Sequence, residues 1–98
     1  MKDTIDQHQF TDWIQKHRPY NFTYEGSKAL FGYLEELELD TGEEMEFDPI
    51  AFCCEYSEYA TIKECLEQYD DIESIDELRD NTSVIEVEGT DAIIIQNF

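Results

Sequence analysis

Apolar residues recur along this chain first with the period of a helix, then with that of a strand, then in two short helical runs, and last in a pair of strands. Phe10, Trp13, Ile14 and His17 stand at i, i+3, i+4 and i+7, which predicts an amphipathic helix over roughly Ile5 to His17. On that stripe His17 reads as a packed, hydrogen-bonded boundary or core residue. Arg18-Pro19 ends the helix, because proline disfavours helical geometry in the residue before it. A second helix runs from about Thr23 to Thr41, with Leu30, Tyr33, Leu34 and Leu37 as its buried stripe and Gly42 placed for a left-handed cap. Gly26 and Gly32 each weaken it by up to about 1 kcal/mol relative to alanine. Gly32 lies beside the stripe, which predicts close packing against a neighbour.

From Met45 to Tyr59 the period becomes two. Ile50, Phe52, Cys54 and Tyr56 fall on one face, and Ala51, Cys53, Glu55 and Ser57 on the other, a strand with Pro49 at its start. Thr61-Ile62-Lys63-Glu64 and Ser74-Ile75-Asp76-Glu77 both have the form of a capping box. The first opens a short helix with Ile62, Cys65, Leu66 and Tyr69 inward; the second opens another that ends near Asn81. Val84 to Glu88 and Ala92 to Phe98 form a hairpin, with Gly89-Thr90 as a two-residue turn. The run Ile93-Ile94-Ile95 is apolar on both faces and belongs at the centre of a sheet. The expected architecture is one α+β domain spanning the chain, in the order α-α-β-α-α-β-β. Its three-stranded, mainly antiparallel sheet is packed with about four helices.

Charge changes this picture most. The chain of 98 residues carries 25 Asp and Glu against 6 Lys and Arg, a formal net charge of -19. That imbalance disfavours nucleic acid and anionic membrane as direct partners and favours cationic surfaces. High net charge with few aromatics would suggest disorder. Here 13% of residues are aromatic and they sit in periodic segments, so the reading is a folded domain with an acidic exterior. No apolar run reaches the roughly 18 residues that a bilayer span requires, and Met1-Lys2-Asp3-Thr4 lacks the core of a secretory signal. Cys53, Cys54 and Cys65 are odd in number, which argues against a disulfide framework and for a reducing cytoplasm.

The densest acidic stretch comprises Glu35, Glu36, Glu38, Asp40, Glu43, Glu44, Glu46 and Asp48, with Glu55, Glu58, Asp70, Asp71 and Glu73 as a second set. Carboxylates three or four residues apart on a helix lie roughly 5 to 6 Å apart. Phosphates along one strand of a duplex repeat about every 3.4 Å. Such an array approximates a phosphate row in sign and order of spacing, and would compete for grooves lined by Lys and Arg. Glu38 and Asp40 also sit near a helix C-terminus, where the dipole favours cations by a few tenths of a kcal/mol.

Dedicated chemistry is harder to find. No register of the acidic stretch supplies the spaced carboxylates, glycine and terminal glutamate of an EF-hand loop. Adjacent Cys53 and Cys54 on a strand would point to opposite faces and could not chelate one metal, and buried cysteines behave as small hydrophobes. No Ser/His/Asp or Cys/His arrangement is recognisable, so neither a catalytic residue, a metal site nor a cofactor is assigned. Tyr20, Phe22, Tyr24, Tyr56 and Tyr59 exceed the needs of a small core and are candidate interface anchors or covers for the sheet ends.

The stretch Phe47-Asp48-Pro49-Ile50-Ala51-Phe52-Cys53-Cys54-Glu55-Tyr56, with Tyr24-Glu25-Gly26 and Ala29-Leu30 upstream, resembles small acidic proteins borne by phages and mobile elements. That resemblance implies inhibition of host defences, restriction enzymes or CRISPR effectors, by occupation of their nucleic-acid sites. The expected function is therefore a non-enzymatic DNA mimic in the host cytoplasm, with a basic nucleic-acid-binding protein as partner. The alternative is an acidic adaptor or regulatory protein that binds through exposed aromatics or a sheet edge, its acidity serving solubility or salt adaptation.

Overall fold

In the computed structural model, which describes residues 5–97, a three-stranded antiparallel sheet divides two layers of helix. The elements are α1 (Gln7–His17), α2 (Tyr24–Thr41), α3 (Pro49–Glu55), β1 (Tyr56–Tyr59), α4 (Ile62–Glu67), α5 (Ile75–Asn81), β2 (Val84–Glu86) and β3 (Ile93–Gln96). The fold is α+β as expected, with five helices instead of about four. The strand order is β1-β3-β2, so the all-isoleucine strand does occupy the centre.

Alternation along β3 builds both cores. Ile94 joins Phe10, Ile14, Phe22, Leu30, Phe31, Leu34, Phe52, Tyr56, Ile85 and Val87 in the larger one, under α1, α2 and α3. Ile93 and Ile95 point the other way, to Cys65 and Leu78 of α4 and α5. Successive residues of a strand face opposite sides, so three consecutive isoleucines are what a sheet covered on both faces requires. Burying such a side chain is worth about 1.5–3 kcal/mol.

Capping sets the helix starts. Asp6 and Gln9 form a reciprocal box at α1, with Gln9 N–H donating to Asp6 Oδ1 at 2.8 Å and Asp6 N–H to Gln9 Oε1 at 3.0 Å. Thr61 and Ser74 accept from the N–H groups of Glu64 and Glu77 at 3.1 and 3.2 Å. Gly42 ends α2 at φ 74°, the left-handed conformation that glycine reaches without steric cost.

Four local expectations are corrected. The strand expected over Met45 to Tyr59 is a helix up to Glu55, and only Tyr56–Tyr59 is extended. Asp48 caps that helix, its Oδ1 accepting from Ala51 N–H at 3.2 Å, and Pro49 follows in the first turn, where its fixed φ suits a helix. Phe52 and Tyr56 are four apart and satisfy both periods. Ile50 and Cys54, which a strand would have buried with them, are exposed. Consequently Cys53 and Cys54 occupy successive positions of a helix, not the two faces of a strand. The hairpin turn is also wider than two residues. Val87 N–H donates to Ala92 C=O at 3.1 Å, which leaves Glu88 to Asp91 as the turn, with Gly89 at φ 79°. His17 is exposed rather than packed in the core; it is the last residue of α1 and its ring lies 4.6 Å from that of Trp13. Finally, Gly32 does not mark close packing: it is exposed, and a Cβ there would meet nothing within 4 Å.

Candidate partner-binding surface

Helix α2, the longest element at 18 residues, carries the candidates Glu35, Glu36, Glu38 and Asp40. Its start is held by a strand residue. Glu58 of β1 lies opposite Ile94 on the α2 side of the sheet. Its carboxylate accepts from Thr23 N–H at 2.9 Å and from the Thr23 hydroxyl at 2.8 Å, while Thr23 Oγ1 accepts from Gly26 N–H at 3.0 Å. The candidate Glu58 is therefore half-buried and committed to the α2 cap.

Glu38 is the second candidate that the structure withdraws from the surface. Its exposure is only 9%, because it stands four residues after Leu34, on the inward side of the helix. Its Oε2 accepts from Met45 N–H at 2.9 Å, which folds the acidic connection back onto α2. The carboxylate near the dipole's negative end thus has an internal structural use.

The rest of the stretch is displayed. Glu36, Asp40, Glu43, Glu44, Glu46 and Asp48 are exposed and Glu35 is half-buried. Among the described residues, Glu36, Asp40, Glu43 and Glu44 have no cation within 4.0 Å; the ion pairs there join His8 to Asp12, Lys28 to Glu25 and Arg79 to Glu86. The sequence also holds no Lys or Arg between Lys28 and Lys63. An open depression of about 340 Å³ lies among Glu35, Glu38, Leu39, Gly42, Glu43 and Glu44. Within it Leu39 is 81% exposed, an apolar contact ringed by carboxylates that sequence reasoning passed over. The signal was present: Leu39 follows Leu30 by nine residues, about 180° round the helix at 3.6 residues per turn.

The second set is scattered. Glu55 is exposed at the end of α3. Asp70, Asp71 and Glu73 are exposed between α4 and α5, in the helical layer across the sheet from α2. Among the aromatics, Phe22 and Tyr56 are buried at 1% and 5% and belong to the core, while Tyr59 packs half-buried against the smaller core. Tyr20 is fully exposed, and Tyr24 is exposed with the Lys28 ammonium 5.6 Å from its ring centre. Burial pushes the Tyr56 hydroxyl up to about 12, with the neighbouring Tyr33 and Glu55 adding to the effect.

Cys53 and Cys65 are placed against thiolate chemistry. Desolvation raises the pKa of fully buried Cys65 and of half-buried Cys53, the reverse of what an activated nucleophile needs. Among the described residues no group of three or more His, Cys, Asp or Glu is arranged to hold a metal ion, and no helix is long and apolar enough to cross a membrane. Compared with protein-family models, with curated proteins and with solved structures, the chain has no match.

Proposed function

We propose that this protein is a non-enzymatic acidic inhibitor that occupies the cationic nucleic-acid-binding surface of a host protein, a DNA mimic of the anti-CRISPR or antirestriction type acting in the host cytoplasm. One observation carries the reading. Along the last turns of α2 and just beyond it, the carboxylates of Glu36, Asp40, Glu43 and Glu44 are exposed without a described cation in reach. Carboxylates that neutralise nothing within the fold and oppose the helix dipole cost stability. A partner's Lys and Arg residues would reverse that sign, and would steer association at long range. Leu39 supplies the desolvated apolar contact that charge alone lacks. Glu46 and Asp48 extend the array towards α3, whereas Glu38 and Glu58 support it from inside.

The experiment is capture from a nuclease-treated bacterial lysate on the immobilised protein, followed by elution with short duplex DNA. A nucleic-acid-handling protein released by the duplex is the expected result. Partners indifferent to the duplex would overturn the reading.

A further inference from the structure

The outer edge of β2 and the adjoining side of α2 form a second surface. The ladder between β2 and β3 includes bonds from Gln96 N–H to Ser83 C=O at 3.2 Å and from Val87 N–H to Ala92 C=O at 3.1 Å. In an antiparallel ladder, hydrogen-bonded and non-bonded pairs alternate. Ser83, Ile85 and Val87 therefore face β3, and the N–H and C=O groups of Val84 and Glu86 face outward. Among the described residues no strand lies beyond β2, and nothing accepts from or donates to those outward groups.

Beside this edge runs an open groove. One part, about 360 Å³, lies between Ala29, Gly32, Tyr33 and Glu36 of α2 and the strand; a second, about 410 Å³, continues past Gly32 to Glu25 and Lys28. Ala29, Gly32 and Glu88 line both. Gly32, costly inside a helix, is exposed and has open space where its Cβ would be, so its missing side chain leaves the groove's floor low. Glu25, Glu36 and Glu88 line the walls; Glu25 already lies 3.9 Å from Lys28, while the Glu86 side chain, opposite Ile93, projects to the other side of the sheet and pairs with Arg79 at 3.1 Å.

We infer that the β2 edge receives an extended, lysine- or arginine-bearing segment of a partner protein as a fourth strand, with cationic side chains seated in the Gly32 groove. Main-chain bonds to Val84 and Glu86 supply the pairing, and the carboxylate walls select the charge. A second copy of this chain is disfavoured by its charge of -19. The inference goes beyond the mimic reading, which concerns the C-terminal end of α2; Glu36 borders both surfaces.

The test uses a fluorescent ten-residue peptide alternating Lys and Val, and two versions N-methylated on the amides of one edge or the other. Saturable binding is expected, with hydrogen exchange at the Val84 and Glu86 amides slowed about tenfold or more. Methylation of one edge should weaken binding at least about tenfold and methylation of the other should leave it nearly unchanged. Gly32→Leu, whose Cβ would meet nothing within 4 Å, should fill the groove and weaken binding similarly while circular dichroism stays the same. Absence of binding, equal effects of the two methylated edges, or unchanged exchange at Val84 and Glu86 would each overturn the inference. The triple variant Asp40→Lys, Glu43→Lys and Glu44→Lys leaves the groove intact. Peptide binding that persists in it, with capture of DNA-displaceable partners lost, separates this surface from the mimic surface; loss of peptide binding there would also overturn the inference.

Discussion

Gly26→Ala should destabilise this protein, although the same change in an ordinary helix interior would stabilise it by about 0.5–1 kcal/mol. A Cβ at position 26 would clash with Glu58 Oε1 and fall 2.6 Å from Glu58 Cδ, so the carboxylate must move away. Two hydrogen bonds to Thr23, at 2.9 and 2.8 Å, leave with it. Bonds to a charged acceptor contribute about 1.5–3 kcal/mol net. Thr23 is exposed, so water recovers part of the loss and the lower end applies to the pair together. Setting about 1.5–2.5 kcal/mol lost against at most about 1 gained leaves Gly26→Ala destabilising by about 1 kcal/mol. In a Glu58→Ala background the obstacle is gone, and Gly26→Ala becomes neutral or mildly stabilising, limited by Thr23 Oγ1 at 3.0 Å from the new methyl. Urea unfolding of the four proteins in this cycle, followed by circular dichroism, measures the coupling directly. Equal effects of Gly26→Ala in both backgrounds would refute the assignment of Glu58 as a cap and return it to the candidate binding residues.

Three further outcomes follow from the same packing. Ile94→Ala, at the fully buried centre of the sheet, should cost about 2–5 kcal/mol in urea unfolding. Asp48→Ala removes the acceptor for Ala51 N–H and should cost about 0.5–2 kcal/mol, whereas Asp48→Asn should retain most of that stability. For Tyr56 the folded hydroxyl titrates near 12 against an ordinary 10.0. The neutral form is favoured by the fold, so its contribution is intact below pH 10 and is lost as pH rises towards 12. Denaturation midpoints across that window should fall less steeply in Tyr56→Phe, and phenolate absorbance should show one late-titrating tyrosine missing.

Much of the fold was legible because each element announced itself through a cap or a period that tertiary contacts did not override. Thr61 and Ser74 cap where the pattern placed them, α2 begins beside Thr23 as expected, and Gly42 ends it as a left-handed residue. Ile93 to Ile95 marked the central strand because a run apolar on both faces has few other uses. The segment Pro49–Glu55 was misread for a physical reason. Phe52 and Tyr56, four apart, serve either period, and the deciding contact is the Asp48 carboxylate on Ala51 N–H, which hydrophobic alternation does not register. The surface was legible in its charge but not in its division of labour. Glu38 and Glu58 look like their neighbours in a string of acids, and only the chain's return at Met45 and the approach of β1 to Thr23 turn them inward. Leu39 was readable by helical position, and was overlooked because the acids around it dominated the composition.

The central claim is that exposed carboxylates at the end of α2 recognise a cationic nucleic-acid site. Its most direct measurement is the affinity for the captured partner as a function of salt, for the wild-type chain and for the variant with Glu36, Asp40, Glu43 and Glu44 changed to Lys. The account predicts a steep loss of wild-type affinity with rising salt, competition by duplex DNA, and a fall of about a hundredfold or more in the variant with its fold intact. An affinity that ignores salt and DNA and survives the four reversals would contradict it.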